Sequence, residues 1–222
     1  MWYNIHKNMK TTDAKEFIKL LERCARLKSA PRFKSSLKHD GDTVAEHSWR
    51  LAVMVLVIAE KYNLKIDIIK AMAMALIHDL AEAQTGDIDA YEVMTGNFWA
   101  NKKQQAEKKA IQNMTGDLKI GKNVRQLWEE YENQISLEAK FVKALDRMEA
   151  FLHIIESGIE DYIPQEFHGD YADKAVRAFD EASHHFPELN DLLNEIKKIL
   201  KRRTKAAGVR WAEGELEQPK TV

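Results

Sequence analysis

The chain has 222 residues, 45% of them hydrophobic, and 34 Lys and Arg stand against 35 Asp and Glu. That length suits one large helical domain with a sizeable core, and nine glycines with four prolines disfavour a turn-rich β-sandwich. Charge that nearly cancels gives no general pull on DNA, RNA or anionic lipid, and Cys24, the only cysteine, excludes an internal disulfide and a cysteine-based zinc site.

No segment approaches the roughly 18 continuous apolar residues needed to span a bilayer. Residues 1–7 lack the basic-then-apolar layout of a signal peptide. The expectation is a cytoplasmic protein with no membrane partner and no nucleic-acid polymer as partner. No internal repeat or low-complexity tract is present.

Thr12 or Asp13 can cap a first helix running to about Lys28, with Phe17, Ile18, Leu20, Leu21, Cys24 and Leu27 as its apolar stripe. Cys24 reads there as a small core residue. Residues 29–42 form a loop broken by Pro31 and Gly41. Thr43-Val44-Ala45-Glu46 has capping-box spacing and predicts a second helix to about Tyr62. Val44, His47, Leu51, Val55, Ile58 and Tyr62 recur on one face, so His47 points inward near the helix start.

Asp67 can cap a third helix over 68–80, apolar almost all round and therefore expected to be central and buried. It delivers His78 and Asp79 into the interior at its C-terminal end. A polar, glycine-containing stretch follows over 82–97. Helical patterns return at 99–114 and 124–133. Ser136 can cap a long helix to Ser157, stopped by Gly158. Two last helices are expected at 171–185 and 188–205, the latter started by Pro187. No run alternates with period two, so the fold class is all-α. Residues 1–207 read as one domain and 208–222 as a loosely ordered tail.

An apolar helix ending in His-Asp places a carboxylate beside buried alkyl groups, a heavy desolvation cost unless the charge is paired or bound to metal. Asp146 poses the same problem within Val142-Lys143-Ala144-Leu145-Asp146-Arg147-Met148, where aspartate has poor helix propensity and no cap to form. One divalent cation held by His47, His78, Asp79 and Asp146 resolves both. Two imidazoles and two carboxylates suit Co, Mn, Zn, Fe or Ni. On a six-coordinate ion they leave two places for water and a substrate oxygen.

The order His … His-Asp … Asp on these helices resembles the HD-domain superfamily of metal phosphohydrolases. Val44-Ala45-Glu46-His47-Ser48-Trp49-Arg50, His78-Asp79-Leu80-Ala81-Glu82 and Gly86-Asp87-Ile88 are similar to its 5′-deoxynucleotidase branch. The resemblance covers roughly 17–155. It implies an HD-type helical bundle with extra C-terminal helices, the same four ligands, a homodimer, and hydrolysis of (deoxy)nucleoside 5′-monophosphates to nucleoside and phosphate. It also implies Glu82 as the catalytic glutamate, Asp87 as a second acidic residue beside the substrate, and Arg32 as the phosphate-holding arginine. Phe33 stands where the family usually has a tryptophan against the sugar, which leaves the preference for deoxyribose over ribose open.

Two other readings keep the same residues. The site could serve a cyclic nucleotide, an alarmone or a nucleoside triphosphate, or the chain could be a helical interaction domain with a structural metal. Intact Glu82 and Arg32 weigh against the last. His39-Asp40 is a second His-Asp pair, but it lies in a polar loop against Gly41 and reads as turn chemistry. His168, His184 and His185 read as surface residues, and the basic run from Lys197 to Lys205 as a solvated face near a helix C-terminus.

Overall fold

The computed structural model describes residues 10–34, 37, 41–88, 100–162 and 184–208. Among them the chain is helical, as expected, and its one β-type contact is an isolated antiparallel bridge between Pro31 and Thr43. The helices are α1 (Thr11–Cys24), α2 (Val44–Lys61), α3 (Ile68–Ile77), the single-turn α4 (Glu82–Thr85), α5 (Ala100–Thr115), α6 (Gly121–Glu132), α7 (Leu137–Ser157), the short α8 (Ile159–Tyr162) and α9 (Asn190–Ala206). No described helix is long and apolar enough to cross a membrane.

Local chemistry sets most helix ends. Thr43 accepts from the Glu46 amide while the Glu46 carboxylate accepts from the Thr43 amide, the reciprocal capping box expected for α2. Asp67 caps α3 through the Lys70 amide at 3.0 Å, and Ser136 caps α7 through the Ala139 amide at 3.2 Å. Gly158 stops α7 at φ 95°, a conformation that glycine adopts without a Cβ penalty. Pro187 opens a 3₁₀ turn over Pro187–Leu189 that leads into α9.

Three expectations need correction. The first helix starts at Thr11 with Lys10 at its N-cap and no side-chain cap, and its last turn tightens into a 3₁₀ helix over Ala25–Ser29. Only the end of its stripe is core: Leu27 is buried, whereas Phe17, Ile18 and Leu21 are exposed and Cys24 is half-buried. Charge ties this helix down instead, through Lys19 and Arg23 to Asp117 and through Arg23 to the Met114 carbonyl. The third helix ends at Ile77, three residues early, and Ile69 and Leu76 face outward, so it is not buried all round. Tyr62, assigned to the inner face of α2, is exposed at its C-cap. The pair His39-Asp40, residue His168, most of the helix expected at 171–185, and the tail after 208 lie outside the described residues. His184 and His185 are exposed.

Two apolar clusters make the core. The larger joins α2, α3, α7 and α9 through Leu51, Val55, Met74, Phe141, Leu145 and Leu200. The smaller gathers Leu27, Val44, Leu80, Ile111, Met114 and Trp128. Val44 belongs to the smaller and Leu51 to the larger; Leu80 belongs to the smaller and Ala75 to the larger. His47 and His78 therefore sit at the seam of the two clusters, a polar joint between apolar bodies.

Candidate metal centre

Four side chains converge at that seam. His47 comes from the first turns of α2, His78 and Asp79 from the turn that follows α3, and Asp146 from the middle of α7. His47 Nε2 lies 3.2 Å from His78 Nε2, 3.2 Å from Asp146 Oδ1 and 3.7 Å from Asp79 Oδ2. His78 Nε2 lies 3.1 Å from Asp79 Oδ2 and 3.7 Å from Asp146 Oδ1. Metal–ligand bonds of about 2.1 Å set neighbouring ligand atoms about 3.0 Å apart on an octahedron and about 3.4 Å apart on a tetrahedron. His47, His78 and Asp146 thus have the mutual spacing of ligands of one ion, Asp79 Oδ2 reaches both histidines, and the donor set suits a divalent cation.

Both imidazoles are oriented from behind. His78 Nδ1 is 2.9 Å from the Ala75 carbonyl, which can only accept, so Nδ1 carries a proton and Nε2 is the nitrogen that faces the cluster. His47 Nδ1 is 2.5 Å from Glu149 Oε2. Trp128 Nε1 donates to the His78 carbonyl at 2.9 Å and fixes the turn that carries His78 and Asp79. Asp146 divides its oxygens: Oδ1 faces the histidines, while Oδ2 accepts from Tyr131 Oη at 3.1 Å and from Lys143 Nζ at 3.0 Å.

The charges reinforce one another. Burial raises the aspartates, but the histidines outweigh it for Asp79, and Lys143 with the histidines does so for Asp146, so both stay well below the usual carboxylate range. Burial likewise opposes a charge on His78, yet Asp79 and Asp146 carry it up to about 10. Without metal, the cluster holds protons where a cation would sit.

On the cleft side lies Glu82, in the first turn of α4 and 4% exposed. It opens on a cavity of about 460 Å³ whose wall includes His78, Asp79, Lys103, Glu107, Tyr131 and Lys143. Lys103 Nζ stands 3.8 Å from Glu82 Oε1 and 3.6 Å from Glu107 Oε1, and donates to the Ile88 carbonyl at 3.2 Å. Glu82 Oε2 has no hydrogen-bond partner among the described residues. Burial, with Asp79 and Asp87 as negative neighbours, pushes the Glu82 carboxyl well above its ordinary range. Glu107 is pushed up to about 7, chiefly by burial.

Asp87 follows Gly86, whose φ of 73° turns the chain back toward the loop before α2. Asp87 Oδ2 accepts from the Phe33 amide at 2.9 Å. The Phe33 ring is buried and stacked on His153 with centroids 5.1 Å apart, and the Arg32 guanidinium lies 4.6 Å above it. Arg32 Nη1 reaches both Asp42 Oδ2 and Glu149 Oε2 at 3.1 Å. The Pro31–Thr43 bridge brings Arg32 and Asp42 together. Neither Arg32 nor Phe33 lines the cleft. Asp42, His47 and Glu149 also have metal-ligand spacing, but the Arg32 guanidinium already supplies the cation there.

Five residues of this region escaped the sequence reading: Glu149, Lys143, Tyr131, Lys103 and Glu107. The first two carried a signal, because Lys143, Asp146 and Glu149 recur at intervals of three on one helix. Lys103 and Glu107 look like any i,i+4 surface pair.

The fold and this cluster define a helical domain built round a buried imidazole–carboxylate cluster with the donors of a metal site. The HD domain family model matches residues 24–185. The chain belongs to the HD domain family. Among curated proteins it is 30% identical over 186 residues to the 5'-deoxynucleotidase HDDC2 of Homo sapiens, covering 83% of this chain and 86% of the human one. It is 32% identical over 188 residues to the 5'-deoxynucleotidase HDDC2 of Bos taurus, covering 83% and 85%. Among solved structures it superposes on a predicted metal-dependent phosphohydrolase of Magnetospirillum magnetotacticum with a TM-score of 0.66 at 24% identity, covering 90% of this chain and 98% of that one. That likeness is one of fold.

Proposed function

We propose that this protein is a metal-dependent phosphohydrolase that releases phosphate from (deoxy)nucleoside 5′-monophosphates. One observation carries the reading: His78 and Asp79, whose donor atoms cluster with those of His47 and Asp146, line a cleft that also holds a buried carboxyl, Glu82, without a hydrogen-bond partner for one oxygen among the described residues. The names of the human and bovine relatives supply the substrate class.

In this reading His47, His78, Asp79 and Asp146 hold one divalent ion, of Co, Mn, Zn, Fe or Ni, suited to the mixed nitrogen and oxygen donors. When bound, such an ion lowers the pKa of a coordinated water and polarises a phosphoryl oxygen. Burial and its negative neighbours favour the protonated form of Glu82, the form that can give a proton to the leaving 5′-oxygen. Asp87 anchors the Phe33 backbone and borders the substrate from the same side as Glu82. Arg32 is the phosphate ligand of this scheme, exchanging its contact with Asp42 for a phosphate oxygen, and the buried Phe33 ring supports it. Lys103 and Lys143 add positive charge at the cleft wall.

A homodimer and a cytoplasmic location complete the proposal. The test is a phosphate-release screen over ribo- and deoxynucleoside monophosphates with Co²⁺, Mn²⁺, Zn²⁺ and Mg²⁺. Metal-dependent release from at least one of them is expected, and release from none would overturn it.

A further inference from the structure

Glu149 is fully buried, yet it is an ionised carboxylate with three basic partners. Its Oε2 faces His47 Nδ1 at 2.5 Å and Arg32 Nη1 at 3.1 Å, and its Oε1 accepts from Arg50 Nε at 2.7 Å and from Arg50 Nη2. Arg50 in turn reaches outward to Glu156 at 2.5 Å. A charge in such a place is costly unless something needs it. If it served stability alone, an apolar residue of similar volume would do as well.

The geometry around it is directional. Glu149 lies one turn beyond Asp146 on α7 and reaches across to α2 from behind His47. Its hydrogen bond takes the Nδ1 proton, leaving Nε2 as the nitrogen that faces His78 and Asp146. The same carboxylate oxygen also accepts from the Arg32 guanidinium at 3.1 Å, so Arg32 and His47 are held side by side. We infer that Glu149 is the positioning residue of the metal centre: it fixes the tautomer and ring direction of His47 and spaces Arg32 from the cluster. The inference rests on the metal-ligand reading above, though not on the identity of the substrate.

The experiment is titration of metal-free protein with Zn²⁺ by calorimetry, wild type against E149Q, with circular dichroism to check the fold. Gln keeps the shape but loses the charge that faces two arginines and an imidazole. E149Q is expected to bind Zn²⁺ about 10- to 100-fold more weakly with unchanged helicity. A residue that merely stabilises the fold would lower the melting temperature and leave the affinity alone. Affinity within threefold of wild type would overturn the inference. Nitrogen-15 spectra of the wild-type imidazoles with Zn²⁺ bound provide a reading that needs no variant. His47 is expected to carry its proton on Nδ1 and to ligate through Nε2, and the opposite tautomer would overturn the inference. Neither measurement uses phosphate release, so failure of the proposed activity leaves this test intact, and failure here leaves the activity open.

Discussion

Glu149 and Glu82 are both buried glutamates flanking the same pair of histidines, and they are held in opposite states. Glu149 has two arginines and an imidazole; burial raises it, but these partners pull it down to about 2. Glu82 has two aspartates as neighbours and only a lysine at 3.8 Å, so burial and repulsion together push it up. The residue type is the same, so the environment alone assigns the role. The sealed side of the centre carries fixed charge and gives direction. The cleft side holds a carboxyl pushed toward its protonated form.

The comparison can be broken most severely at the ligands between the two glutamates. Asp146→Ala or His78→Ala is expected to abolish Zn²⁺ binding and reduce phosphate release to background; equilibrium dialysis with metal analysis and a phosphate assay read both. Next comes the cleft side alone. Glu82→Gln should lower kcat by about 10²- to 10⁴-fold while calorimetric Zn²⁺ affinity and helicity stay near wild type. Metal loss in that variant would place Glu82 with the ligands and erase the contrast.

Protons provide a third test. His78 is protonated at pH 7.5 in the metal-free protein, because Asp79 and Asp146 overcome the effect of burial. An imidazole must be neutral to ligate, so binding should release about one proton or more per Zn²⁺. Calorimetry in buffers of different ionisation enthalpy counts them; zero release would mean that the aspartates do not hold His78 charged.

A smaller effect belongs to Glu107, further up the cleft wall. Its folded pKa of about 7 lies above the ordinary value. Its contribution to stability is therefore complete below about pH 4.5 and is lost as pH rises through about 7. Glu107→Gln removes that dependence, so metal-free E107Q should gain on wild type between pH 5 and pH 8, by about 1–3 kcal/mol at the upper end. Urea unfolding at the two pH values checks it. The smallest change is expected for Thr43→Ala, which opens the capping box beneath His47 and should cost about 1 kcal/mol with only a slight fall in Zn²⁺ affinity.

Much of the scaffold was legible in the residues because it rests on local chemistry. Thr43, Asp67, Ser136 and Gly158 act on their own helix ends, and they do what their spacing predicts. The meeting of His47, His78, Asp79 and Asp146 was legible too, since charge beside alkyl side chains needs a cause. What escaped depends on distant partners. Periodicity shows that α1 has an apolar face, but not which part of that face the described elements cover, so Phe17, Ile18 and Leu21 were misplaced. A loop arginine beside a proline gives no hint that an antiparallel bridge will press it against Asp42 and Glu149. Lys103 and Glu107 became part of the cleft only because α5 folds over α4.

Lys143, Asp146 and Glu149 ride on three steps of α7: the cleft-wall cation, the proposed ligand and the buried anchor. A helix turns by about 100° per residue, so the three fan over about 120° of its surface and their directions are set together. Inserting one alanine between Ser136 and Lys143 would swing all of them away from the seam together. Point substitutions can separate their duties, whereas length changes in this helix cannot. The register of α7 is thus a single mechanical parameter, and insertions and deletions along it should be far less tolerated than replacements.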